Sequence, residues 1–326
     1  MGTKFKTKIT EMLGIEYPIL CGGMQWISRA EFVAAVGNAG SIGFITAESF
    51  QTPEDLRQEI KKIRTLTDKP FGINLSMVPE LGLPERTLRF CEVVCEEGVG
   101  VVETAGRSPK PLMPMLKEGG VKVIHKLTSV RYALSAQKLG VDAVTMVGFG
   151  SGGHIGNDNV ASFILIPKAI AALDIPVIAG GAICNGRGFL GALAMGAEAV
   201  LMGTAFMATK ECPVHAAIKE RIVQNSETDT ALLLTTIQNP VRCMKNKLAE
   251  ECLAIEAQGA SFEEILTKVA GHKGQVAYDT GDTDSVPIAC GQVAGLIDNI
   301  KSVRQVIDDI IAEAEELLER LNHIVR

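Results

Sequence analysis

The sequence predicts an α/β fold: a TIM (β/α)₈ barrel with a second, smaller, mostly helical domain. Three observations carry this reading. Eight short β-rich runs alternate with longer helical stretches between Tyr17 and Met202. Two segments nearly repeat each other, Leu139-Gly140-Val141-Asp142-Ala143-Val144 and Met195-Gly196-Ala197-Glu198-Ala199-Val200, and each reads as helix end, glycine cap and entry into a buried strand. No G-x-G-x-x-G follows the first run, which weighs against an open doubly wound sheet. Alternation of this kind builds a parallel sheet with right-handed crossovers, and eight strands favour closure.

The strand runs are Tyr17–Cys21, Ile42–Ile45, Phe71–Leu75, Val99–Glu103, Lys122–Lys126, Ala143–Val147, Pro176–Ala179 and Ala199–Met202. Between them the helices carry start and stop signals. Ser28-Arg29-Ala30-Glu31 reads as a capping box, and Thr52-Pro53 puts an N-cap before a proline at the first helical position. Helices end at Gly98, Gly140 and Gly196, where a left-handed residue without Cβ is favoured. The barrel domain is expected over 1–212. The rhythm then changes, and 213–284 reads as a smaller helical domain with helices over Thr230–Ile237 and Val241–Gln258. The segment 285–326 returns to the barrel through a long amphipathic helix within Gly291–Arg326, which either packs on its own barrel or forms a homodimer surface.

Composition narrows the function. With 326 residues, 47% hydrophobic and 21% charged, the chain can bury a large core without a disulfide or metal staple. A net charge of -6 argues against a general nucleic-acid binder, which needs a basic face. Met1–Thr10 has no apolar signal core and no run reaches the length of a membrane span, so a cytoplasmic location is expected. The eight cysteines form no C-x-x-C pair and the five histidines no ligand spacing, so no metal site is expected.

Reacting groups of such barrels come from the C-terminal strand ends and the loops after them. Gly180-Gly181 and Gly203-Thr204 would lie side by side after the last two strands, where glycine lets several N–H groups converge on one phosphate. Gly22-Gly23-Met24 after the first strand would let main chain approach a flat ring, with the methionine as a polarisable contact. Lys126, at the end of strand five, points into the mouth; it meets either an anionic ligand group or the carboxylate of a salt bridge. Asn74 can donate and accept at a ligand edge, or cap a loop. His154 stands among Gly148, Gly150, Gly152, Gly153 and Gly156, an exposed setting suited to hydrogen bonding or proton exchange with a substrate. Met77–Leu83, bracketed by Pro79 and Pro84, reads as a lid, and Tyr278 could reach in from the smaller domain.

Five motifs, in order along the chain, resemble the nitronate monooxygenase family, formerly 2-nitropropane dioxygenase. They are Gly22-Gly23-Met24-Gln25-Trp26, Lys69-Pro70-Phe71-Gly72-Ile73-Asn74, Gly152-Gly153-His154-Ile155-Gly156, Pro176-Val177-Ile178-Ala179-Gly180-Gly181 and Gly196 through Thr204. The family includes NADH:quinone reductases and the FMN-dependent enoyl-ACP reductase II. Val123-Ile124-His125-Lys126, Lys210-Glu211-Cys212-Pro213, Leu253-Ala254-Ile255-Glu256-Ala257 and the segment from Tyr278 to Asp284 resemble the quinone reductase branch. Ser151–Gly156 and Ala289–Leu296 are more similar to the enoyl reductase, and Ala182 stands where a further glycine is sometimes seen.

The resemblance implies FMN across the barrel mouth, its phosphate on Gly180, Gly181, Gly203 and Thr204. The ring would lie near Gly22, Gly23 and Met24, with Asn74, Lys126, Ser151 and Gly152 at its polar edges. NAD(P)H would be the co-substrate, and a quinone or a nitronate the second substrate. Lys126 would stabilise the anionic reduced ring, and His154 would orient or protonate the second substrate. Enoyl-thioester reduction and a non-catalytic flavin barrel are the alternatives.

Overall fold

A computed structural model of the protein describes residues 5–77, 85–259, 265, 268–269 and 272–325. The expected lid, beyond its first residue Met77, lies outside the described residues. Eight parallel strands close into a barrel: Ile19–Cys21, Ile42–Thr46, Gly72–Met77, Val101–Gly106, Lys122–Leu127, Ala143–Val147, Val177–Gly180 and Ala199–Met202. The eighth closes on the first through Leu20↔Leu201, completing the predicted order.

Pairing register decides what stacks inside. With Leu20↔Ile42, Phe44↔Gly72, Val101↔Lys122, Ile124↔Ala143 and Thr145↔Ile178, the inward side chains fall into layers of four drawn from alternate strands. The lowest holds Ile42, Val101, Ala143 and Ala199, and the next Leu20, Gly72, Ile124 and Ile178. Above them come Phe44, Glu103, Thr145 and Leu201, and then Gly22, Asn74, Lys126 and Gly180. The interior is therefore apolar below and polar above. Gly72 is required by the packing, since a Cβ there would sit 2.4 Å from the Phe44 ring. The helix Lys8–Leu13 closes the lower end, adding Ile9, Leu13 and Ile15 to the apolar interior.

Local signals behave mostly as read. Thr52 and Asp55 form a capping box ahead of Pro53–Leu66. Gly140 takes φ +82° and Gly196 φ +99°. The near-repeat is structural: Asp142 N donates to Val123 O at 2.9 Å, and Glu198 N to Val177 O at 2.9 Å. Ser28, however, is not a helix cap. The helix Ala30–Asn38 starts from Arg29 without a side-chain cap, and Ser28 Oγ instead accepts from Met24 N at 3.0 Å, tightening the turn after the first strand.

The smaller region also differs. Thr230–Leu233 and Val241–Met244, expected as helix, are antiparallel strands. The turn between them puts Leu234 and Gln238 at positive φ ahead of Asn239-Pro240, a break that no helix could span. Helices Ala216–Gln224, Lys247–Ala257 and His272–Thr280 accompany them. Ala231, Leu233, Cys243, Leu248 and Cys252 form a core of their own, whereas Ile218 and Ile222 belong to the barrel's outer core. The C-terminal helix Val303–Ile324 packs on its own barrel. Its Ile310–Ala314 stretch lies so close to Gly186 that a Cβ there would meet Ala314 N at 2.7 Å, and Glu313 Oε2 accepts from Gly186 N at 2.7 Å.

Candidate active site at the barrel mouth

The residues singled out from sequence converge on the C-terminal end of the barrel. Strand pairing puts Gly180 opposite Leu201, so the turns holding Gly180-Gly181 and Gly203-Thr204 are neighbours. Gly181 has φ +89°, and a Cβ on it would lie 2.9 Å from Gly148 O and 3.2 Å from Ser151 Cβ. Sequence-distant Ser151 thus borders the Gly180-Gly181 turn. Gly203 is different: a Cβ there would find only Met24 Sδ, 3.7 Å away. Next to the glycines, Ala182 holds φ +62°, a left-handed conformation that alanine adopts at a cost.

Thr204 Oγ1 accepts from Gly291 N at 3.0 Å, and Gln292 N donates to Gly150 O at 3.0 Å. A Cβ on Gly152 would strike the Cys290–Gly291 backbone at 2.8 Å. The segment Ala289–Leu296 therefore stitches the loop after strand six to the turn after strand eight. The Thr204 hydroxyl keeps its own proton to donate to an anion.

Beneath the mouth lies a network centred on Glu103, a residue that sequence reasoning left as an ordinary strand end. Its carboxylate is fully buried. Oε2 accepts from Lys126 Nζ at 3.1 Å, from Gly23 N at 3.3 Å and from Asn74 Nδ2. Of the two alternatives for Lys126, the salt bridge is therefore present; its side chain stays 24% exposed, enough to face a ligand as well. Asn74 is buried and accepts from Ser76 Oγ at 3.0 Å, so both ends of its amide are engaged within the mouth rather than in capping a loop. A Cβ on Gly23 would overlap the Asn74 side chain at 2.4 Å, which requires glycine here. Thr46 Oγ1, Glu103 Oε1 and Thr145 Oγ1 are buried without a hydrogen-bond partner among the described residues.

His154 does not sit in a free loop. Gly153–His154 is a short strand paired with Val241–Met244, with Val241 opposite His154. Arg242, almost fully buried, fastens the loop by donating to Phe149 O at 3.0 and 3.2 Å and to Thr230 Oγ1 at 2.9 Å, while lying over the Phe149 ring. His154 remains solvent-exposed, yet partial desolvation by the surrounding protein lowers its pKa, with repulsion from Lys126 acting in the same direction. An imidazole neutral at pH 7 is the result.

Two further groups have shifted pKa values, Glu48, which sequence reasoning passed over, and His125, read there as structural. Glu48, in the turn after strand two, has its carboxyl pushed up to about 7 by burial; Oε1 accepts from Ser76 N at 2.8 Å and Oε2 has no partner among the described residues. His125 faces outward from strand five, with Nδ1 2.8 Å from Thr104 Oγ1, and burial lowers its pKa to about 4. It belongs to the packing between strands and helices. Tyr278 lies half-buried on the helix His272–Thr280, which passes over Trp26: a Cβ on Gly274 would be 3.8 Å from the Tyr278 ring and 4.0 Å from that of Trp26.

The sequence profile of the nitronate monooxygenase family matches residues 6–313. The chain belongs to the nitronate monooxygenase family. Among relatives, a (3aS,4S,5R,7aS)-5-hydroxy-7a-methyl-1-oxo-octahydro-1H-indene-4-carboxyl-CoA dehydrogenase of Rhodococcus jostii (strain RHA1) is 31% identical over 97% of this chain and 98% of its own. A probable nitronate monooxygenase of Staphylococcus saprophyticus is 28% identical over 97% of this chain and 100% of its own. The solved structure of FabK from Thermotoga maritima superposes with a TM-score of 0.91 at 38% identity, covering 98% of this chain and 99% of that one. The protein is accordingly an oxidoreductase on a TIM barrel. Among its described residues no helix is long and apolar enough to cross a membrane, and no cluster of His, Cys, Asp or Glu could hold a metal ion.

The mouth fits the flavin that membership of this family implies. Two glycine turns lie on adjoining strands, a Cβ on Gly203 would meet only Met24 Sδ at 3.7 Å, and the Thr46 hydroxyl, without a partner among the described residues, sits beside Asn74 at the mouth.

Proposed function

We propose that the protein is an FMN-dependent reductase that takes hydride from NAD(P)H and delivers two electrons to a small acceptor, a quinone being the leading class. The observation that carries this reading is the layer Gly22, Asn74, Lys126, Gly180, which pairs two bare main-chain positions with two polar side chains beside a double glycine turn.

Bound FMN would supply the redox chemistry, accepting hydride from one substrate and releasing it to the next. The protein supplies everything else. Gly180, Gly181 and Gly203 would offer N–H groups to the phosphate, and Thr204 its hydroxyl proton. Gly22, Gly23 and Met24 would support the ring face, and Asn74, Lys126, Ser151 and Gly152 its polar edge. His154, neutral at pH 7, would orient the second substrate by a hydrogen bond, or take up a proton as that substrate reacts. Glu48 would be a second group able to exchange a proton near neutrality.

Enoyl-thioester reduction is the second reading. It is favoured by the 38% identity to FabK and by Ala289–Leu296 sealing the mouth between Gly152 and Thr204. The test is direct. The purified protein should be yellow and release FMN on denaturation. Anaerobic mixing with NADH or NADPH should bleach it, and a quinone should restore the colour. Restoration by an enoyl thioester alone would favour the second reading, and bleaching by a nitronate but by neither nicotinamide would favour nitronate oxidation. A colourless protein that takes up no FMN would end all three.

A further inference from the structure

We propose that Glu103 is a positioning residue which, with Lys126, forms an ion pair of zero net charge just below the flavin ring and so sets how readily the ring accepts an electron pair. The inference rests on the flavin reading above and goes beyond it. There, Lys126 is a cation at the ring edge; with Glu103 included, that cation is already balanced.

Three donors from three separate strand ends meet on one oxygen: Lys126 Nζ at 3.1 Å, Gly23 N at 3.3 Å and Asn74 Nδ2. Glu103 belongs to the layer of Phe44, Thr145 and Leu201, directly below that of Gly22, Asn74, Lys126 and Gly180. Each donor belongs to a residue the proposed function puts against the ring. One buried carboxylate therefore fixes the positions of all three, and withdraws from Lys126 much of the field it would otherwise exert above. Buried charges interact strongly because little water screens them. A free ammonium at this position would draw negative charge onto the ring; a balanced pair does so far less.

A purely structural role and an electrostatic one predict different things. Glu103→Gln keeps the shape and removes the charge, leaving Lys126 uncompensated. The midpoint potential of bound FMN, read by anaerobic dye-coupled titration, should rise by at least the equivalent of a tenfold change in the two-electron equilibrium, about 30 mV. Adding Lys126→Met restores zero net charge, and the double variant should return close to the original potential. Glu103→Asp, which keeps the charge, should also stay close to it and serves if the glutamine variant fails to fold. An unchanged or lowered potential in Glu103→Gln, a rise that survives in the double variant, or a rise in Glu103→Asp as large as that expected of the glutamine variant would overturn the inference while leaving a yellow, FMN-binding protein. Absence of FMN from the unaltered protein would instead remove the reading beneath it, and this inference with it.

Discussion

Lys126 Nζ lies 3.1 Å from Glu103 Oε2, and the carboxylate of that pair has no exposed surface. Removing the ammonium leaves a buried charge with only two neutral donors. Lys126→Ala should therefore cost roughly 3 kcal/mol, the lower end for a broken buried pair, because the lysine itself is partly exposed. Lys122→Ala, which breaks the exposed pair with Asp142 at 3.0 Å, should cost about 1 kcal/mol or less. Urea unfolding of both variants checks the contrast, and equal losses would contradict it.

The glycine turns offer a sharper probe than their most constrained member. Any side chain at Gly181 is strained by φ +89° and crowded by Gly148 O, so lost flavin there could reflect lost folding. Gly203 has φ -124° and open space around it. Gly203→Asp should fold with a melting temperature near that of the unaltered protein, yet retain no FMN, because its carboxylate would occupy the phosphate position. Flavin content and melting curves measure both; full FMN occupancy would show that the phosphate lies elsewhere.

His125 makes stability depend on pH. Above its ordinary pKa of 6.5 the ring is neutral in folded and unfolded chains alike. Between 6.5 and about 4 only the unfolded chain takes up the proton, so stability falls as pH drops through that window. At roughly 1.4 kcal/mol per tenfold change in proton affinity, this group accounts for about 3 kcal/mol by its lower end. His125→Phe should flatten that part of the profile of unfolding free energy against pH.

His154 should act through its neutral form. Because its pKa is lowered, reoxidation of the reduced enzyme by the second substrate should hold its rate as pH falls past 6.5, where a freely exposed imidazole would be half protonated. His154→Ala should slow that half-reaction at every pH and leave FMN content unchanged. Stopped-flow mixing at several pH values reads the rate; loss of flavin from the variant would assign the ring to cofactor binding instead.

Ala182 carries a backbone cost with no evident return. Ala182→Gly should relieve its φ of +62° and stabilise the fold by about 1 kcal/mol, visible as a higher urea midpoint with unchanged slope.

The barrel was legible because its signals are local and repeated. Runs such as Ala143–Val147 and Ala199–Met202 are short, apolar and preceded by Gly140 or Gly196, and a buried parallel strand needs little else. The glycine turns were legible because backbone must come close there. Glu103 was not, since its partners Gly23, Asn74 and Lys126 are distant in sequence and meet only when the strands close. The one available hint was its period: Val101 and Glu103 share an inward face, and a carboxylate there needs a cation. Thr230–Leu233 and Val241–Met244 misled because strands of four residues carry too few positions to distinguish a period of two from 3.6, while Asn239-Pro240 was the break to notice.

Below the Asn74–Lys126 layer the barrel is filled, by Phe44, Glu103, Thr145 and Leu201 and at its lower end by the helix Lys8–Leu13, and that filling has a kinetic consequence. A flavin ring placed on the Asn74–Lys126 layer, as proposed, would have its underside against protein, so the electron donor and the acceptor would visit a single open face by turns. On the proposed reductase reading, oxidised nicotinamide would have to depart before the acceptor arrives, and double-reciprocal plots of rate against either substrate should run parallel, the signature of a ping-pong sequence.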